Sequence, residues 1–261
     1  MVRRGLGLSH GTSGIRRPVR RGLPVVLVTV CAVAFGPVGS ARASTVVALW
    51  NMNEAAGSTA LVDFGPNMGA NDPLNGTIGT SITLDGSVHS YPSVKRGGAG
   101  TVDPQHLDVV NSALGNPGTS DFIVTVRLKV PNIASAFGNV MQKGQTGSPT
   151  GFWKIELDGG NGTGEVFCGF RSIVGGVTTN GGIRSPINIA DNQWHVVTCE
   201  RGSNFVSTTV DGHTTMQMHT VGNIVNNNPL TIGGKANCNA TLSHLCDYFT
   251  GQIDYVQIQT G

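Results

Sequence analysis

The residues best suited to chemistry lie in one short run, Lys154-Ile155-Glu156-Leu157-Asp158-Gly159-Gly160. Extended backbone sends alternate side chains to opposite faces, so Glu156 and Asp158 share one face while Trp153, Ile155 and Leu157 share the other. Phe152 and Lys154 fall on the Glu156 side. Carboxylates gathered on one face are the residue types of acid–base catalysis, and Glu165 or Glu200 would supply a partner from another strand. The plainer reading is that these acids are solvated charges on an outer face, and the sequence favours it. His195 is a second candidate base. No serine stands in a nucleophile-elbow context, and no second histidine lies at metal-ligand spacing.

A hard cation needs several oxygen ligands. The stretch Asp63 to Asp72 offers Asp63, Asn67, Asn71 and Asp72, and Asp254 lies near the C-terminus. Asp63, Asn71, Asp72 and Asp254 are therefore the candidate calcium set, with Asp63 the best single ligand. The competing reading is an Asx-turn loop whose acids cap its own backbone. No cofactor other than calcium is implied. For sugar binding the candidates are Phe152, Glu156 and Trp194, while Trp50 and Trp153 sit in apolar patterns that suit a core. Aromatic residues make up 6% of the chain, which is thin for a stacking platform on crystalline polysaccharide. Asn223 to Asn228 could supply amides, although a plain turn is the favoured reading.

These residues need a scaffold, and its signals are those of strands. Asp191 to Gly212 holds two Val/Thr-rich runs, Trp194 to Glu200 and Phe205 to Val210, parted by Arg201-Gly202-Ser203-Asn204 and closed by Asp211-Gly212. That pattern predicts a hairpin. Further strands are predicted at Ser44 to Met52, Ile78 to Leu84, Asp121 to Val130, Asn139 to Lys143, Phe152 to Asp158, Glu165 to Ile173, Asn180 to Ile183, Pro229 to Gly233 and Gly251 to Gln259. Asn53 to Gly79 reads as loop, and Asp85 to Val102 as irregular. Turn signals at this density fit an all-β sandwich, and no long amphipathic helix is evident.

The chain has 261 residues. Residues 1–43 read as a secretory signal peptide: a basic leader without acids, an apolar run from Leu23 to Phe35, and a small-residue site at Ala41-Arg42-Ala43. Seven of the seventeen Lys/Arg and none of the fifteen Asp/Glu lie there, so residues 44–261 carry a formal charge of about −5. An acidic domain without a basic cluster has no footprint for nucleic acid. No later apolar run approaches the ~20 residues of a membrane helix. Cys168, Cys199, Cys238 and Cys246 remain after cleavage, and export suggests two disulfides. Of the three connectivities, Cys168–Cys199 with Cys238–Cys246 is preferred, the first joining two strand-like runs and the second closing a short loop.

The order of short motifs resembles a known family. Trp50, Met52, Glu54 and Gly57 form W-x-M-x-E-x-x-G; N-V-M-Q-K-G follows at 139–144, then Gly151-Phe152-Trp153, the W-H-x-V…V-D-G hairpin, and F-T-G-Q-I-D-Y-V-Q-I at 249–258. The succession resembles laminin-G-like domains of the concanavalin A-like lectin/glucanase superfamily, of the exported bacterial kind. The resemblance implies two antiparallel sheets of about fourteen strands in a jelly-roll sandwich over residues 44–261. It also implies that His195 packs, and that calcium sits at a sandwich rim in many relatives. The superfold hosts lectins, hydrolases, lyases and adhesive modules, so it implies no single activity. Hydrolases that share it carry an E-x-D-x-E strand, which Glu156 and Asp158 match and Gly160 breaks. With that motif incomplete, the expectation is a secreted, non-catalytic module binding a glycan or an extracellular protein. The alternatives are a glycoside hydrolase or polysaccharide lyase of the same fold, or a purely structural or adhesive module.

Overall fold

The chain was studied as a computed structural model. It describes residues 44–55, 58, 60–66, 71–76, 83–85, 88–93, 105–109, 112–131, 138–158, 164–234, 249 and 251–261. The chain divides into a unit of residues 1–41 and a unit of residues 42–261. The leader and the Cys238–Cys246 pairing lie outside the described residues.

Alternation dominates the long strands, as in Phe122–Lys129, where Phe122, Val124, Val126 and Leu128 are fully buried and the residues between them are half-exposed. One face of each strand is thus committed to the core. In chain order the strands are β1 (Thr45–Trp50), β2 (Ala60–Val62), β3 (Asn71–Gly76), β4 (Thr83–Asp85), β5 (Val88–Ser93) and β6 (Gln105–Val109). After a 3-10 turn at Ser112–Gly115 come β7 (Phe122–Lys129), β8 (Gly138–Lys143), β9 (Gly151–Asp158), β10 (Glu165–Val174) and β11 (Val177–Asn188). The last five are β12 (Trp194–Arg201), β13 (Phe205–Val210), β14 (His213–Met218), β15 (Leu230–Ile232) and β16 (Gly251–Thr260).

They form two sheets with antiparallel pairing throughout. One runs β14-β13-β12-β7-β16-β5-β4, with β1 also on β16; the other runs β11-β10-β9-β8-β15-β6-β3-β2. The chain is a two-sheet jelly-roll sandwich. Between the sheets Trp153 packs 5.2 Å from Phe122 and 6.5 Å from Phe170, centroid to centroid, and its indole N–H donates to the Gly115 carbonyl at 2.7 Å. Such aromatic pairs add about 0.5–1.5 kcal/mol each beyond their buried area.

Cys168 and Cys199 are bonded, with Cα atoms 5.6 Å apart. The sequence reading paired them as two strand-like runs without saying which sheet holds each. The bond joins β10 to β12, strands of different sheets, and pins the sandwich through its core. Facing sheets ordinarily pack about 10 Å apart, so the backbones draw together at this point.

The sequence also misread several shorter segments. Asn71 and Asp72 belong to β3, in register with Val62 and Leu61 of β2, rather than to an open loop. Val88–Ser93 is a strand, although Tyr91-Pro92 suggested irregularity. β14 was missed because its residues are mostly exposed and lack an apolar face. It is closed onto β13 by Asp211-Gly212, whose φ values of 48° and 83° are those of a tight hairpin turn.

Candidate functional site

The outer face of the β9 sheet carries the polar residues that alternation assigned to it. Glu156 stands opposite Asn139 of β8 and Phe167 of β10. One pleat along, Lys154 stands opposite Gln142 and Gly169, and beyond it Phe152 stands opposite Arg171. The rows continue into β11, where Arg184, Gly182 and Asn180 face Phe167, Gly169 and Arg171. On the reverse face Trp153 and Ile155 are fully buried in the core.

Glu156 departs from the plain reading of a solvated surface charge. It is 5% exposed and its Oε2 is held by the Lys154 ammonium. Asn139 beside it is fully buried, and neither atom of its side-chain amide has a hydrogen-bond partner. Gln142 spends its amide N–H on the Gly144 carbonyl and leaves Oε1 unmatched. Each buried group left so costs about 1–3 kcal/mol. Donors and acceptors held in place without partners are what a hydroxyl-rich ligand would satisfy.

Next to this row lies a pocket of about 250 Å³. Phe152 and Phe167 give it aromatic walls; Lys154, Arg171 and Asn180 give it polar ones. The Phe167 ring lies across the sheet over two glycines. A Cβ at Gly169 would come within 2.5 Å of that ring, and one at Gly182 within 2.7 Å. The Arg184 guanidinium and Lys154 ammonium sit 5.3 Å and 5.7 Å from its centroid.

A second carboxylate is close in register. Glu165 faces Asp158, two residues from the Glu156–Phe167 pair, so it is the diagonal neighbour of Glu156. Diagonal positions lie about 7–8 Å apart. The Asp158 side chain lies outside the described residues. Glu200 is excluded as a partner: it belongs to β12 in the other sheet, where it accepts from the Ser207 hydroxyl and burial pushes its carboxyl up.

Trp194 does not join Phe152 and Glu156. It sits on the outer face of the other sheet, and its ring is covered by Arg127 at 4.5 Å and Lys129 at 5.4 Å. His195 is buried at the inner side, bonded through Nδ1 to Asp211 at 2.6 Å and through Nε2 to Asp191 at 2.9 Å. Burial pulls its imidazole down, but the hydrogen bonds and charges of the two aspartates outweigh that and hold it above the ordinary histidine value. The residue ties the β13–β14 turn to the loop before β12, and sequence reasoning did not see these partners.

Two of the candidate calcium ligands, Asp63 and Asp254, have other bonds. Asp63 Oδ1 accepts from the backbone N–H of Leu49 at 2.9 Å and of Gly65 at 2.7 Å, the latter an Asx turn, while the buried Oδ2 has no partner. Asp254 is ion-paired with Arg127. Side chains of Asn71 and Asp72 lie outside the described residues. Among the described residues no group of three or more His, Cys, Asp or Glu side chains is arranged to hold a metal ion. Likewise, no helix among them is long and apolar enough to cross a membrane.

The fold defines a two-sheet jelly roll of a kind that hosts both enzymes and non-enzymatic binding domains. Residues 103–261 match the Laminin_G_3 family model, of the concanavalin A-like lectin/glucanases superfamily, and the chain belongs to that family. No curated protein matches it in sequence. Among solved structures it is similar to domain 4 of AbnA, a GH43 extracellular arabinanase from Geobacillus stearothermophilus in complex with arabinotriose. That likeness has 12% identity, 84% and 93% of the two chains covered, and a TM-score of 0.54. It is also similar to an endo-1,3-beta-glucanase from Streptomyces sioyaensis (17% identity, 84% and 97% covered, TM-score 0.48). A third likeness is to mouse laminin alpha1 domains LG4-5 (14% identity, 76% and 48% covered, TM-score 0.43).

Two findings correct the expectation of a non-catalytic binding module. Solved structures of this shape include glycoside hydrolases beside laminin and toxin binding domains, so the fold by itself does not speak for a binding module. In addition, the carboxylate dismissed as solvated is buried, ion-paired and flanked by unmatched amide groups. The burial and ion pair of Glu156 reopen the hydrolase alternative.

Proposed function

We propose that this chain hydrolyses glycosidic bonds of a polysaccharide laid across the outer face of the β9 sheet. The observation that carries the reading is Glu156, buried in the polar row, oriented by Lys154 and bracketed by the unpartnered Asn139 amide. Asn139 and Gln142 would take sugar hydroxyls, and the walls of Phe152 and Phe167 would receive an adjoining ring.

Hydrolysis needs two carboxylates. Glu156, oriented by Lys154 in the polar row, takes the base role and would draw a proton from the attacking water. Glu165, half-exposed and diagonal in register, would protonate the departing oxygen. A base that activates water, rather than a nucleophile, is the inverting arrangement, with the water between base and sugar and the acid at the departing oxygen. The work is extracellular on this reading, which the basic-then-apolar leader and the core disulfide support.

The test is release of reducing sugar from a panel of β-glucans, arabinans and acidic polysaccharides by the exported protein. Glu156→Gln should cut the rate by about 10²–10⁴-fold with the fold intact by circular dichroism. Proton NMR of early product should show inverted anomeric configuration. Unchanged release by the variant would refute the assignment, and products bearing a sugar double bond would replace hydrolysis with elimination.

A further inference from the structure

We propose that the pocket beside Glu156 is a subsite for an anionic sugar unit, one that carries a carboxylate or a sulfate group. The inference rests on the reading of this face as the polysaccharide site, and it turns on Arg171 and Arg184, which that reading does not use. Of the seven lysine and arginine side chains among the described residues, Lys154 and Arg171 line this one pocket and Arg184 stands over its Phe167 wall. The other four have structural work elsewhere. Arg127 pairs with Asp254 and, with Lys129, covers Trp194; Lys143 donates to the Asn228 carbonyl; Arg201 donates to the carbonyls of Gly118, Ser120 and Gly222.

Within the pocket the positive charge is only partly answered. Glu156 is shared with Lys154, whereas Arg171 Nε is buried and has no hydrogen-bond partner. A neutral sugar would meet the aromatic walls and Asn180 but would leave that guanidinium N–H with a weak acceptor at best. A carboxylate or sulfate supplies paired oxygens that match the planar fork of arginine. Phe167, seated over Gly169 and Gly182, would carry the ring of the same unit, and Arg184 at its edge would add a second cation. The charge is local, because the domain as a whole is acidic. A polyanion would therefore be drawn to this face rather than to the molecule in general.

The experiment measures binding by isothermal calorimetry to full-length Glu156→Gln protein, which prevents turnover. The probes are a galacturonate oligosaccharide for the carboxylate, a chondroitin sulfate oligosaccharide for the sulfate, and a neutral β-1,3-glucan oligosaccharide. One anionic probe should bind at least about tenfold more tightly than the neutral one, and which one does so identifies the group. Arg171→Gln should lose about tenfold of that affinity. Arg184→Gln, on an exposed position, should also weaken it and serves if the Arg171 variant does not fold. Lys129→Gln, on the other sheet, should leave it unchanged. Equal or tighter binding of the neutral probe overturns the proposal, as does full anion affinity in folded Arg171→Gln protein. Cleavage of neutral glucan without anion binding would sink this subsite and spare the hydrolase reading. Arginine-dependent anion binding by a protein that cleaves nothing would do the reverse.

Discussion

Removal of the inter-sheet disulfide is the sharpest probe of the scaffold. The perturbation is the double variant Cys168→Ala with Cys199→Ala, which avoids leaving a lone thiol in the core. The two residues are 31 apart in sequence, and both are fully buried. In the chain-entropy treatment a closed loop of that length removes about 12 cal/mol/K from the unfolded ensemble, or about 4 kcal/mol at room temperature. Loss of two buried sulfur atoms adds a cavity contribution of the same sign. Native domains have only about 5–15 kcal/mol in hand, so the variant should lie near its folding threshold. Equilibrium denaturation in guanidinium chloride gives the stability, with its slope as an internal check. The slope should rise, because the unfolded chain without the tie is more expanded. Were the stability to fall by less than about 1 kcal/mol with an unchanged slope, the bond would not be what holds β10 against β12.

The remaining predictions concern pH. The His195 imidazole is raised in the native state, so its contribution is complete below the ordinary histidine value and is lost as pH rises through the native one. Asp191 and Asp211 are lowered, the first mainly by its hydrogen bond from His195, the second because backbone and His195 hydrogen bonds outweigh its burial. Their contribution is present above the ordinary carboxylate range and lost as pH falls through their native values. Thermal melts should therefore show an alkaline loss that is absent in His195→Gln, and persistence of that loss in the variant would refute the assignment. Lys143 acts in the opposite sense. Burial lowers its ammonium from 10.5 to about 8, so the unfolded chain binds the extra proton between those values and stability should rise with pH across that window. Urea midpoints of Lys143→Met should lack the rise; an identical rise would point to another group.

Much of the fold was legible because its long strands pair one buried face with one open face. Phe122 to Lys129 and Phe152 to Asp158 announce their geometry through period-two alternation, and the Trp194 to Val210 hairpin adds turn chemistry. β3, β5 and β14 were illegible for the converse reason. Asn71–Gly76 and Val88–Ser93 carry proline and polar residues, and His213–Met218 has no buried face. Their strand state comes from a neighbour that supplies the ladder, not from local preference.

The site divides along the same line. From sequence alone, Phe152, Lys154 and Glu156 share a face, because strand geometry makes that unavoidable. Cys168 and Cys199 were also paired correctly, since two cysteines in strand-like runs have few alternatives. Only the tertiary structure decided that Glu156 is buried and ion-paired, that Arg171 of β10 lines the neighbouring pocket while Arg184 of β11 stands over Phe167, and that Glu200 and Trp194 belong to the opposite sheet. Alternation assigns a side chain to one of two faces but does not say which strands lie beside it or which sheet they form. Those are set by long-range pairing, and the charge environment of Glu156 follows from that pairing.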